Sequence, residues 1–180
     1  VDDVDGDLVV EGEGAVVEID GADGGENVVH DHDFAVIHGG EVLVHAGAGG
    51  VGTFAIQIAR ARGAEVFATC SQRNADFVGA LGAKVIAYDR AAFETQVSDI
   101  DVVLDVMGGN VHERSYKVLK RGGLMVCLNA EPFTDRSAKY GVSVKIAPIF
   151  PKREILEALL QMMKTGSLRS AIVKTMPITD

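Results

Sequence analysis

The chain has 180 residues, 47% of them hydrophobic, which is the length of one ordinary domain with a sizeable core. Its formal net charge is −9, but twelve acids and no lysine or arginine fall within residues 1–33, leaving the remainder at +3 with no basic stripe; a nucleic-acid partner is not expected. No apolar run reaches membrane-spanning length and no signal-peptide pattern opens the chain, so a cytoplasmic protein without membrane contact is expected.

Residues 1–37 read as an acidic N-terminal arm. Leu8-Val9-Val10 and Ala15-Val16-Val17 are short apolar runs on either side of Glu11-Gly12-Glu13-Gly14, which suits a hairpin or an irregular arm. His30-Asp31-His32-Asp33 alternates in a way that would place both imidazoles on one face of a strand. No third, distant ligand accompanies them, so a solvated polar loop is the better reading and no metal site is expected.

From residue 38 onward strand and helix patterns alternate, and 38–180 reads as one domain. Val42-Leu43-Val44 lies in a buried strand over 41–46, and Gly47-Ala48-Gly49-Gly50-Val51-Gly52 then fits G-x-G-x-x-G, with a helix continuing over 53–62. In that motif Gly47 permits the tight turn, Gly49 leaves room for a pyrophosphate, and Gly52 lets the helix pack close to the sheet. The N–H groups and positive dipole end of the helix face the phosphates, so Gly50 and Val51 belong to the same candidate site. Strands follow over 65–70, 85–87, 101–106, 124–128 and 142–146, with a possible last one over 171–174. Between them helices are expected over 74–81, 91–97 and 110–120, the last with Asn110 and Glu113 as a capping box and Gly122-Gly123 as its stop. An amphipathic helix over 154–164 is closed by Gly166. Cys70 and Cys127 fall in these strands and read as buried free thiols, as suits a reducing compartment. The pattern predicts an α/β fold, a doubly wound parallel sheet of about six strands ordered 3-2-1-4-5-6, with a ligand crevice between strands one and four.

The end of the second strand distinguishes the dinucleotides. An NAD site wants a carboxylate there for the ribose hydroxyls, and Thr69-Cys70-Ser71-Gln72-Arg73 has none. Ser71 can hydrogen-bond and Arg73 can pair with a 2′-phosphate, while Tyr88, just past the third strand, can add a hydroxyl. NADP(H) is therefore expected. His45, beside the glycine turn, reads as a satisfied strand-end histidine, and no catalytic residue stands out.

With these residues in view, the chain resembles the medium-chain dehydrogenase/reductase superfamily, in its zinc-independent quinone reductase and enoyl reductase branches. The resemblance rests on Val42 to Gly52, Gly63 to Thr69, Leu81-Gly82-Ala83, Asp105 to Gly109, Leu119 to Gly123, and Gly166 to Arg169 followed by Met176-Pro177. It implies a Rossmann cofactor domain that takes NADPH through Ser71, Arg73 and Tyr88. It also implies that Met107-Gly108 and Leu128-Asn129 flank the nicotinamide, that the substrate is a quinone or activated alkene, and that the protein is a homodimer. Members carry a separate GroES-like catalytic domain, which residues 1–37 do not resemble. A cofactor domain of such a reductase is therefore expected, with a non-catalytic dinucleotide-binding module as the alternative.

Overall fold

The computed structural model describes residues 39–128, 133–147 and 152–171. The N-terminal hairpin, the His30–Asp33 segment, Asn129 and most of the possible strand over 171–174 lie outside the described residues. Within them, strands β1 (Glu41–Val44), β2 (Glu65–Cys70), β3 (Lys84–Ala87), β4 (Ile100–Asp105), β5 (Leu119–Cys127) and β6 (Ser143–Ile146) form one six-stranded sheet. Every pairing is parallel, and the order is β3-β2-β1-β4-β5-β6, as expected from the strand and helix alternation. The helices are α1 (Gly50–Ala61), α2 (Ala75–Ala80), α3 (Gly109–Ser115), α4 (Ser137–Tyr140) and α5 (Arg153–Thr165).

The middles of the central strands β1, β2 and β4 are mostly apolar and buried because both faces of the sheet are covered there. Successive residues of β1 point to opposite faces. Val42 and Val44 join Ile56, Ala59, Val66, Ala68 and Val78 in one core. Leu43 joins Ile86, Phe93, Ile100, Val103, Tyr116 and Met125 in the other. Each valine, leucine, isoleucine, phenylalanine or methionine among them, fully withdrawn from water, contributes about 1.5–3 kcal/mol of transfer free energy. Cys70 and Cys127 are free and buried, as expected.

Several elements differ from the sequence reading, among them the unexpected short helix α4 and a β5 that starts at Leu119 rather than at residue 124. Helix α1 starts at Gly50 rather than at residue 53, so Gly52 lies in its first turn and Gly49 is its N-cap. Residues 91–97 supply only a 3₁₀ turn over Phe93–Thr95, which buries Phe93. The largest difference is at 110–120. Helix α3 stops at Ser115, Asn110 caps nothing, and the N-cap is Gly108 at φ 69°, ψ −162°, a conformation reserved for glycine. Glu113 pairs instead with Arg136, Nε to Oε2 at 2.6 Å.

Gly122-Gly123 does not end a helix but lies inside β5, where the β4–β5 register shifts between Ile100 and Val102. Gly122 has φ +78°, and a Cβ on Gly123 would lie 2.9 Å from the Lys120 carbonyl and 3.1 Å from that of Asp101. Paired glycines serve a helix stop and a strand bulge equally well, because both need left-handed backbone or close approach. The bulge is anchored by an ion pair of Lys120 with Asp101, whose other oxygen accepts the Glu41 N–H at 2.7 Å. A Gly123→Ala substitution is expected to destabilise the fold by about 1–3 kcal/mol, read as a lower urea midpoint, because neither carbonyl can move without breaking the bulge.

Candidate functional site

The strand order reverses at β1 and β4, and in sheets of this kind the ligand crevice lies beyond the carboxyl ends at that switch point. The glycine turn forms its floor. Ala46 takes the left-handed φ of 52°, while the demand on Gly47 is for space. A Cβ on Gly47 would sit 2.9 Å from the Ala68 methyl. One on Gly52 would be 2.3 Å from the Ala46 carbonyl oxygen, so α1 can begin there only with glycine. A Cβ on Gly49 would lie 3.2 Å from the same oxygen, whereas Gly50 faces open space and Val51 is half exposed. Among the described residues, the N–H groups of Gly50, Val51 and Gly52 have no acceptor, and no side chain caps α1. Three unpaired donors at the positive end of a twelve-residue helix suit a pyrophosphate.

The expected adenosine end lies past β2 and β3. Ser71 Oγ is buried and has no hydrogen-bond partner, an unusual state for a hydroxyl. Arg73 and Tyr88 are exposed beside it, Tyr88 at 61%. The β2 and β3 ends are tied by the Tyr88 N–H donating to the Cys70 carbonyl at 3.0 Å. The orphan hydroxyl, the free amides and the open glycine cradle together fit a dinucleotide phosphate ester.

The expected nicotinamide end lies past β4 and β5. Met107 is half exposed on its turn, and Leu128 donates its N–H to the Asp105 carbonyl at 3.0 Å. The turn is held from below by a residue the sequence reading did not single out. Asp105 is fully buried, and its Oδ1 accepts the N–H groups of Met107 and Gly108, each at 2.9 Å. Its Oδ2 accepts from His112 Nδ1 at 2.9 Å, His112 Nε2 meets Tyr116 Oη at 3.1 Å, and Tyr116 Oη accepts the Arg136 N–H at 3.3 Å. The signal in the sequence was an acid closing an apolar strand before glycines, with a histidine and a tyrosine four residues apart on the next helix.

Asp105, His112 and Cys127 bring one ligand atom each within 4.8 Å. The set does not suit a metal ion. Burial, and then the charge of Asp105, push the Cys127 thiol up to about 12, and its Sγ lies 3.6 Å from His112 Nδ1. The carboxylate is already committed to two amides and an imidazole. The trio is a hydrogen-bonded support for the turn.

His45 is satisfied, as expected. Ser115 donates its hydroxyl proton to the Val111 carbonyl, so His45 Nε2–H must be the donor to Ser115 Oγ at 2.9 Å. With the proton of the neutral ring on Nε2, Nδ1 is an acceptor, and Thr69 Oγ1, which accepts the Ala46 N–H, donates to it at 3.1 Å. The ring lies edge-on to Phe93. Burial lowers its pKa from 6.5 to about 4, only partly offset by Asp105.

The sheet order and the glycine turn are those of a dinucleotide-binding Rossmann domain. Residues 50–166 match the family model described as zinc-binding dehydrogenase, and the chain belongs to that family; quinone and enoyl reductases are among the proteins it is similar to. The acryloyl-coenzyme A reductase of Metallosphaera sedula is 30% identical over 149 residues, spanning 79% of this chain and 45% of that enzyme. Among solved structures, the quinone oxidoreductase from Coxiella burnetii superposes with a TM-score of 0.65 at 32% identity, over 74% of this chain and 44% of that one. The CurK enoyl reductase gives a TM-score of 0.62 at 30% identity, over 74% and 46%. The chain thus spans less than half the length of each. No described helix is long and apolar enough to cross a membrane.

The His45 geometry carries a pH dependence. The folded pKa is depressed, so stability is complete above pH 6.5 and is lost as pH falls toward 4, because the unfolded chain takes up the proton first. The expected loss is about 3 kcal/mol over that window. Urea melts between pH 7 and 4 should show it, and His45→Gln should flatten it.

Proposed function

We propose that residues 38–180 form the cofactor domain of an NADP(H)-dependent reductase of the quinone or enoyl reductase kind, preceded by the acidic arm over 1–37. The observation that carries the dinucleotide choice is the buried, unpartnered Ser71 Oγ with Arg73 and Tyr88 beside it. A 2′-phosphate would give that hydroxyl an acceptor and the guanidinium a counter-charge. The cofactor, when bound, supplies a hydride to an activated double bond or a quinone. The chain's own work is positional. Gly50, Val51 and Gly52 would hold the pyrophosphate with amides, Gly49 would leave room for it, and the turn set by Asp105 would hold Met107 and Gly108 against one face of the nicotinamide. Leu128 and Asn129 complete that wall in this reading.

Catalysis is proposed for a longer protein, since the relatives named are about twice the length covered here. A non-catalytic dinucleotide-binding module is the second reading. It is favoured by the two described histidines beside the crevice, His45 and His112, both of which are buried and hydrogen-bonded. Turnover of NADPH with a generic quinone by this chain would exclude it. The setting proposed is cytoplasmic, with homodimers joined along the edge strand β6; elution as a 19.0 kDa species in size-exclusion chromatography would remove the dimer.

Calorimetric titration with NADPH and NADH tests the site. NADPH is expected to bind more tightly, and Arg73→Ala to weaken NADPH by about tenfold while leaving NADH nearly unchanged, as for loss of one charge-assisted phosphate contact. Binding of neither cofactor would overturn the reading.

A further inference from the structure

The loop after β3 places a carboxylate where the sequence around β2 shows none. Asp89 Oδ1 accepts the Gln72 N–H at 2.9 Å, one peptide bond from Ser71. Gln72 opens the 3₁₀ turn Gln72–Asn74 that leads into α2, and Ser71, its N-cap by position, makes no capping bond with its own side chain. The usual fate of a serine there is to bond a following amide itself. Asp89 supplies that acceptor from across the sheet edge, which leaves Ser71 Oγ buried and without a partner.

The same carboxylate is exposed, as are Arg73, Tyr88 and Arg90 on the segments that follow β2 and β3. Its field reaches inward: the buried Cys70 thiol is pushed up first by desolvation and then by the charge of Asp89. A negative charge so close to Ser71 acts differently on the two dinucleotides. A 2′-hydroxyl can donate to a carboxylate, whereas a 2′-phosphate brings like charge toward it.

On the reading of this site as a dinucleotide crevice, we propose that Asp89 sets the choice between NADP(H) and NAD(H). Its carboxylate caps the Ser71–Arg73 turn so that Ser71 Oγ stays available to the ribose 2′ substituent. Its charge narrows the advantage that Arg73 gives to NADP(H). Asp89 is thus a positioning residue and a specificity determinant together, and the two roles separate by substitution. Asp89→Asn keeps the acceptor and removes the charge, whereas Asp89→Ala removes both.

The experiment is calorimetric titration of the full chain and both variants with NADPH and NADH, at low salt and at about 0.5 M salt, where exposed charges are screened. Asp89→Asn is expected to tighten NADPH by about fivefold at low salt, the scale of one exposed charge interaction, and to leave NADH within about twofold. The gain should shrink at high salt. Asp89→Ala is expected to weaken NADH and to gain less for NADPH, because the turn has lost its cap. An unchanged NADPH-to-NADH ratio in Asp89→Asn would overturn the proposal while the site stands. Equal weakening of both cofactors in Asp89→Asn would also overturn it, by making Asp89 a structural acceptor alone. A parent chain that binds neither cofactor would remove the site itself, a result distinct from both.

Discussion

The approach of α1 to the end of β1 is the contact on which the crevice depends. With no atom beyond Cα at Gly52, the Ala46 carbonyl can sit where a methyl would otherwise stand, 2.3 Å away. That fixes the first turn of α1 above the sheet and leaves three amides pointing outward from it. The left-handed φ of Ala46 completes the geometry, and the Thr69 hydroxyl holds that residue's N–H at 3.2 Å. Floor, helix dipole and neighbouring strand end are therefore set by one tight corner rather than by separate features.

The two ends of the crevice are built on different physical grounds. Beyond β2 and β3 the charged groups, Arg73 and Asp89, are exposed, so their balance responds to salt and to single charges. Beyond β4 and β5 they are buried, and a carboxylate, an imidazole and a phenol satisfy one another in sequence. Desolvated groups of this kind define geometry, because leaving any of them unpaired is costly. One end is suited to choosing between ligands and the other to holding a surface still.

Much of this was legible in the sequence because apolar strands, glycine stops and the glycine motif each carry a spacing with a physical cause. The strand order followed from alternation and handedness. What failed failed locally. Gly122-Gly123 fits a helix stop and a strand bulge alike, and only the neighbouring Asp101 carbonyl decides between them. Asn110 and Glu113 have capping-box spacing, yet α3 starts from Gly108, since the Asp105 carboxylate already holds that residue's N–H. Asp89 and Asp105 were missed for one reason. Each works through backbone amides, and nothing in a linear sequence marks which acid will face which amide.

The support under the Met107 turn has a consequence for how this part of the molecule moves. From the Met107 amide through Asp105, His112 and Tyr116 to the Arg136 amide, each group has its partner on both sides. A displacement at one end is passed on bond by bond and cannot be absorbed midway without stranding a polar atom. The turn after β4, helix α3 and the segment before α4 therefore share a single degree of freedom. Substitutions along the chain should couple strongly instead of adding, and breathing of the crevice on this side is a motion of the whole block.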